Sequence, residues 1–130
     1  MGARNTREEA IVAMTPNEDQ RGKEGFAVKV SSGKAALCTA ATDIPIGVIV
    51  EGENTDGTSS VQVADAGGKP VLVKLDGTPG TVAIGTYLTI TATGTFKATT
   101  SSTTQCARAL QSGAANELIE AVLFRPITAP

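Results

Sequence analysis

A chain of 130 residues with 41% hydrophobic content is long enough to bury a continuous core, so a single domain without disulfide or metal staples is expected. Only Phe26, Tyr87, Phe96 and Phe124 are aromatic, which leaves the core to Val, Ile, Leu and Ala, and fourteen glycines and eighteen threonines favour sheet over helix. The lack of histidine excludes Ser-His-Asp and Cys-His catalysis, while a net charge of −2 with no basic run beyond Arg21-Gly22-Lys23-Glu24 argues against nucleic acid as a partner.

Residues 1–9, MGARNTREE, mix Arg4, Arg7, Glu8 and Glu9 with no apolar face to order them, and read as a flexible arm ahead of one β-domain over residues 10–130. Neither a secretion signal nor a membrane span is visible, so a soluble protein made in a cytoplasm is expected. Residues 10–14 start the first strand. Thr15-Pro16-Asn17-Glu18-Asp19 is turn chemistry, and the polar run through Glu24 reads as a solvated surface loop.

The stretch from 25 to 50, GFAVKVSSGKAALCTAATDIPIGVIV, is the one around which the rest of the chain is organised. Val28 and Val30 alternate with Ala27 and Lys29, Ser31-Ser32-Gly33 breaks the run, and Ala35 to Leu37 resumes it, which is a hairpin signature. An Ala/Thr loop then leads through Pro45 into a strand over 46–51. Residues 52–59, GENTDGTS, form a turn-rich loop, and Ser60 to Val63 is the next strand. Glu51, Glu53 and Asp56 invite a calcium reading, but their spacing is not that of a calcium hand and acidic surface turns are common. Gly67-Gly68-Lys69-Pro70 is a hairpin turn rather than a phosphate loop, because Val63 stands where the first glycine would be needed and Pro70 where Ser or Thr would. Further strands are expected at 71–75, 87–90, 96–98, 106–111 and 118–124, with Ala114 to Ala121 rich enough in Ala, Leu and Glu to leave room for a short helix.

About sixty residues separate two runs of the same grammar. Gly85 answers Gly25, Tyr87 stands where Phe26 stood and so falls at a core position, and Ile11 to Met14 aligns with Val71 to Lys74. The fold class expected is therefore all-β: a compact barrel or sandwich of two pseudo-repeated halves.

Candidate chemistry is sparse. Paired acids, Glu8-Glu9, Glu18-Asp19 and Glu51 with Glu53, lie in polar arms and loops where nothing points to the burial a general acid needs. Lys29, Lys34, Lys74 and Lys97 fall in or beside strands, where solvent-facing lysine is ordinary. Cys38 and Cys106 have no second cysteine nearby, so no thiolate metal cluster can be assembled; both read as small buried hydrophobes, with a disulfide between them as the alternative. No cofactor, no metal and no enzymatic activity are expected.

TPNEDQRGKEGFAVKV, GKAALCTAATDIPIGVIVEG, GTVAIGTYLTITATGTFKA and ARALQSGAANELIEAVLFRP together resemble the head decoration, or capsid cement, proteins of tailed bacteriophages. The likeness runs from Ile11 to Pro126 and is strongest in the step into Glu117-Leu118-Ile119-Glu120-Ala121-Val122-Leu123 with Arg125-Pro126, and in Pro45-Ile46-Gly47-Val48. It implies a structural virion protein made in the host cytoplasm and bound to the outer capsid surface. The implied partner is the major capsid protein, whose subunits it would bridge as a homo-oligomer, first of all a trimer, with no nucleic acid or membrane involved. Arg4 and Arg7 of the arm are the candidate capsid contacts. The rival from another class is a carbohydrate-binding or adhesin-type β-module, disfavoured by the absence of Trp and the single Tyr.

Overall fold

The structure, a computed structural model, describes residues 11–64, 69–99 and 104–128. Ten strands run β1 (Ile11–Met14), β2 (Ala27–Ser31), β3 (Lys34–Leu37), β4 (Gly47–Glu51), β5 (Ser59–Val63), β6 (Pro70–Lys74), β7 (Tyr87–Ile90), β8 (Phe96–Ala98), β9 (Thr104–Ala109) and β10 (Leu118–Thr128). They form two antiparallel five-stranded sheets, ordered β1-β5-β4-β2-β3 and β6-β10-β9-β7-β8, packed together as a sandwich-like fold. The expected all-β class holds, and no described residue is helical.

Each half of the chain makes one sheet, and the two spatial orders are the same. The register repeats as well. In the first sheet Val28 pairs with Gly47 and Leu37, and Val48 with Gln62. In the second, Leu88 pairs with Ala107 and Ala98, and Arg108 with Val122. Irregular bonds recur at matching places: Gly25 N donates to Ile49 O and Gly85 N to Ala109 O, while Asn17 N donates to Ala35 O and Asp76 N to Phe96 O, all at 2.8 Å. Parallel bridges, Pro16 with Ala35 and Leu75 with Phe96, curl each sheet so that the chain leaving its first strand meets the far edge strand. The pseudo-repeat of the sequence is thus a repeat of hydrogen-bonded structure.

Strand pairing also corrects the alignment of the halves. Ile11 faces Gln62 and Pro70 faces Val122, so the counterpart of Ile11 is Pro70, not Val71. Ala27 pairs with Val48 as Tyr87 pairs with Arg108, so Tyr87 answers Ala27 rather than Phe26. A slip of one residue turns every side chain of a strand to the opposite face. Tyr87 accordingly leaves the core and stands on the outer face, 39% exposed.

Alternation builds the interior. Along β10, Ile119, Ala121 and Leu123 are buried, whereas Leu118 and Glu120 are exposed. The larger core cluster centres on Phe96, Leu75, Leu88 and Ile90 of the second half and takes in Ala27, Cys38 and Val48 of the first. Val28, Ala35, Ile49 and Val61 form a separate small core within the first half. Between β2 and β3, Ser32 and Gly33 both have positive φ, 52° and 75°, as a two-residue hairpin turn of the type that matches strand twist requires.

Two local expectations fail for physical reasons. The helix allowed before Leu118 is a turn: Glu117 N donates to Ala114 O, and Asn116 at φ 65° has a left-handed backbone that a right-handed helix cannot continue. The run from Asn17 to Glu24 is more than a solvated loop. Glu18 accepts from Leu37 N, Glu24 accepts from Gly52 N, and Gln20 is fully buried. The polar residues are there to satisfy backbone groups of β3 and of the chain beyond β4, which sequence composition alone cannot distinguish from solvation.

Candidate functional site

Several titratable groups among the described residues are held in structural roles. Hydrogen bonds from Arg21 hold the Asp19 carboxyl down at about 2, and both groups are exposed. The Asp43 carboxyl is lowered by the N–H of Thr39, then by Lys29 Nζ at 3.0 Å and the N–H of Ala40. Asp76 is lowered by Thr95 Oγ1 donating at 2.7 Å, and by the N–H and hydroxyl of Thr78. Each shift favours the ionised form, the opposite of what a proton-donating acid needs. Cys38 and Cys106 are free and buried, and burial pushes both thiols up to about 12. The Cys106 thiol donates to Leu88 O at 3.7 Å.

Asp76 gives a pH prediction with a fixed sign. Its pKa in the folded state is depressed, so its contribution is present above the unfolded carboxylate value of about 3.9 and disappears as pH falls through the folded value. Asp76→Asn is expected to lower the thermal midpoint at neutral pH, with the gap to the parent closing in acid below about pH 4. A gap that stays constant down the acid limb would mean that the ionised carboxylate is not what stabilises this turn.

Two surfaces stand out on the exterior. An open cleft of about 480 Å³ lies between the halves, walled by Ile11, Val50 and Gln62 on one side and by Pro70, Leu72 and Leu118 on the other. Its walls are mainly apolar, and Val50, Leu72 and Leu118 are 39%, 48% and 43% exposed. Around the corner, the outer face of the second sheet carries Tyr87, Arg108, Val122 and Phe124. The Tyr87 ring meets Phe124 edge-on at 6.2 Å, and the Arg108 guanidinium lies 5.3 Å from the Tyr87 ring centre. An exposed apolar patch with a stacked arginine has the composition of a protein-binding surface.

The residues singled out in the sequence fall elsewhere. Arg4 and Arg7, with the rest of the arm, lie outside the described residues, as do Gly67 and Gly68 of the expected turn. Of the three acids around the 52–59 loop, Glu51 and Asp56 are exposed, Asp56 N caps on Asn54 Oδ1, and Glu53 packs beside Gly57. Among the described residues no three Cys, Asp or Glu side chains come together as a metal site requires. Lys29 is tied to Asp43 rather than free in solvent. Sequence reading missed the Tyr87 and Arg108 face because it put Tyr87 in register with Phe26; the alternation of Leu88 and Ile90, both buried, was the available signal that Tyr87 points out. Among the described residues no helix is long and apolar enough to cross a membrane. Compared with known proteins, the chain matches no family model and no curated sequence.

Proposed function

We propose that this chain is a structural virion protein of a tailed bacteriophage that binds the outer surface of the expanded capsid and bridges its major capsid protein subunits. The observation that carries this reading is the resemblance of the Pro45-Ile46-Gly47-Val48 and Glu117 to Pro126 phrases to head decoration proteins; the body they belong to is consistent with it. Gly47 and Val48 open β4, and Leu118 to Pro126 run along β10, the strand between β6 and β9. A body with ionised, hydrogen-bonded carboxylates, buried thiols and apolar patches outside suits adhesion rather than turnover. Weak contacts repeated over a symmetric shell sum to avidity that one contact lacks.

Sedimentation with capsids tests the proposal. Purified protein is expected to pellet with expanded capsids that lack it and to stay in solution with unexpanded precursors. Removing residues 1–9, with Arg4 and Arg7, is expected to weaken the association and to reduce its dependence on salt, since charge-assisted contacts are screened. Failure to pellet with expanded capsids at low salt would end this reading.

A further inference from the structure

The internal repeat shows what covers a face of this kind. Within the molecule, the β6 edge and the turn at Gly94 sit on the outer face of the first sheet. Lys74 N donates to Gly25 O at 2.9 Å, Ala27 N to Gly94 O at 2.8 Å, and Gln62 Nε2 to Lys69 O at 3.4 Å. Ala27, Val48 and Gln62 beneath them are 0%, 1% and 6% exposed. Strand register makes Tyr87, Arg108 and Val122 the counterparts of these three. On the second half that strip is open, with Tyr87 39% exposed, Arg108 exposed and Val122 half-buried.

The docking edge has a counterpart too. Pairing of Ala13 with Ser60 and of Leu72 with Glu120 equates β1 with β6, and the hairpin turns equate Gly33 with Gly94. Ala13, Thr15, Ser32 and Gly33 are all exposed. One half therefore spends its edge and keeps its outer face open, while the other spends its face and leaves Ala13, Thr15 and the Ser32-Gly33 turn exposed.

We propose that the outer face of the second sheet around Tyr87 and Arg108 is a docking surface for a second copy of this chain. The β1 edge and Ser32-Gly33 turn of that copy sit on it as β6 and Gly94 sit on Ala27 and Val48 within one molecule. The counterpart of the bond from Lys74 N to Gly25 O is then a bond from Thr15 N of one molecule to Gly85 O of the next. Among the described residues, Gly85 O receives a long 3.4 Å contact from Arg108 Nε, a side chain that can swing away. The difference in residue type between the two strips fits the difference in tethering. The halves of one chain are held at high effective concentration, so Ala27 and Val48 suffice between them, whereas an untethered partner needs the large anchors, Tyr and Arg, that dominate protein interfaces. Edge and face are different surfaces, so the contact is heterologous, and it builds a closed ring when the rotation between copies permits. This holds independently of the capsid partner.

Sedimentation velocity with two complementary variants tests it. The unmodified protein is expected to run as an oligomer. Tyr87→Glu, which spoils the face, and Ala13→Glu, which spoils the edge, are each expected to run as monomers with an unchanged circular dichroism spectrum. An equimolar mixture is expected to form a dimer, because the intact edge of the first variant can dock on the intact face of the second. If Tyr87→Glu does not fold, Arg108→Glu takes its place with the same expected behaviour. A monomeric parent at the highest concentration reached, an oligomer that survives both face variants, an Ala13→Glu variant that still dimerises through its intact face, or a mixture that stays monomeric would each overturn the proposal, the last by showing that edge and face do not meet.

Discussion

Gly25→Ala is expected to cost about 4 kcal/mol of stability, and Gly85→Ala only about 1 to 2 kcal/mol, although the two glycines occupy equivalent places. Their backbones are alike, with φ of 87° and 92°, so an added Cβ meets the same left-handed strain at both. The surroundings differ. At Gly25 the new carbon would lie 2.7 Å from Lys74 N and 2.5 Å from Leu118 Cδ2, whereas at Gly85 the nearest atom is the mobile end of Arg108 at 3.6 Å. Leu118 can rotate, but Lys74 N is backbone and is bonded to Gly25 O, so relief at Gly25 requires the two halves to separate locally. The pair of substitutions therefore subtracts conformational strain and leaves the junction between the halves. For a chain of this size the difference amounts to roughly 10 °C in the thermal midpoint. Equal losses at both positions would show that Gly25 is required by its dihedral angle alone and that the halves do not press on each other there.

The legibility of this fold in its sequence depends on what period-two alternation can and cannot carry. Alternation locates nearly every strand, because half-buried strands write their two faces into neighbouring residues, as Ile119, Ala121 and Leu123 do against Leu118 and Glu120. It also exposes the repeat, since Gly25 and Gly85 enter equivalent hairpins. Register is what it leaves ambiguous. Phe26 and Tyr87 are the only aromatics near those entries, which invites matching one to the other. Yet the aromatic of the first half lies before the strand, with Lys23 Nζ standing 5.0 Å from its ring centre, and that of the second lies within it. The second gap concerns polar burial. Gln20 sits in a run of acids, amides and Lys/Arg whose composition is that of a solvated loop, and only the return of β5 against it reveals that its amide faces inward. Long-range partners such as Ser59 leave no local mark on the sequence around Gln20.

Gln20→Glu, which changes one buried atom and almost no volume, is expected to destabilise the protein by about 3 to 5 kcal/mol at neutral pH. The Gln20 side chain is fully buried and uses both ends of its amide: Nε2 donates to Ala35 O at 2.8 Å and to Glu18 Oε2 at 2.6 Å, and Oε1 accepts from Ser59 Oγ at 2.8 Å. Its backbone N–H reaches Glu53 O as well, so this residue links β3, the approach to β5 and its own loop. Replacing the NH₂ by an oxygen sets two acceptors, Ala35 O and the Glu18 carboxylate, against a third, and a carboxylate there would carry an uncompensated buried charge. Burial and the neighbouring negative charge both raise the pKa of the new carboxyl above its unfolded value of about 4.3. That direction fixes the sign of the pH dependence. The penalty is absent where the group is protonated in both states, grows as pH rises from about 4.3 towards the raised folded value, and is complete above it. Denaturant unfolding of parent and variant across this range is expected to show the gap narrowing steadily in acid, because the protonated carboxyl regains a donor for Ala35 O or Glu18. A gap independent of pH would mean that water reaches the site and solvates the charge, and that the Gln20 amide is not a sealed link between loop and sheet.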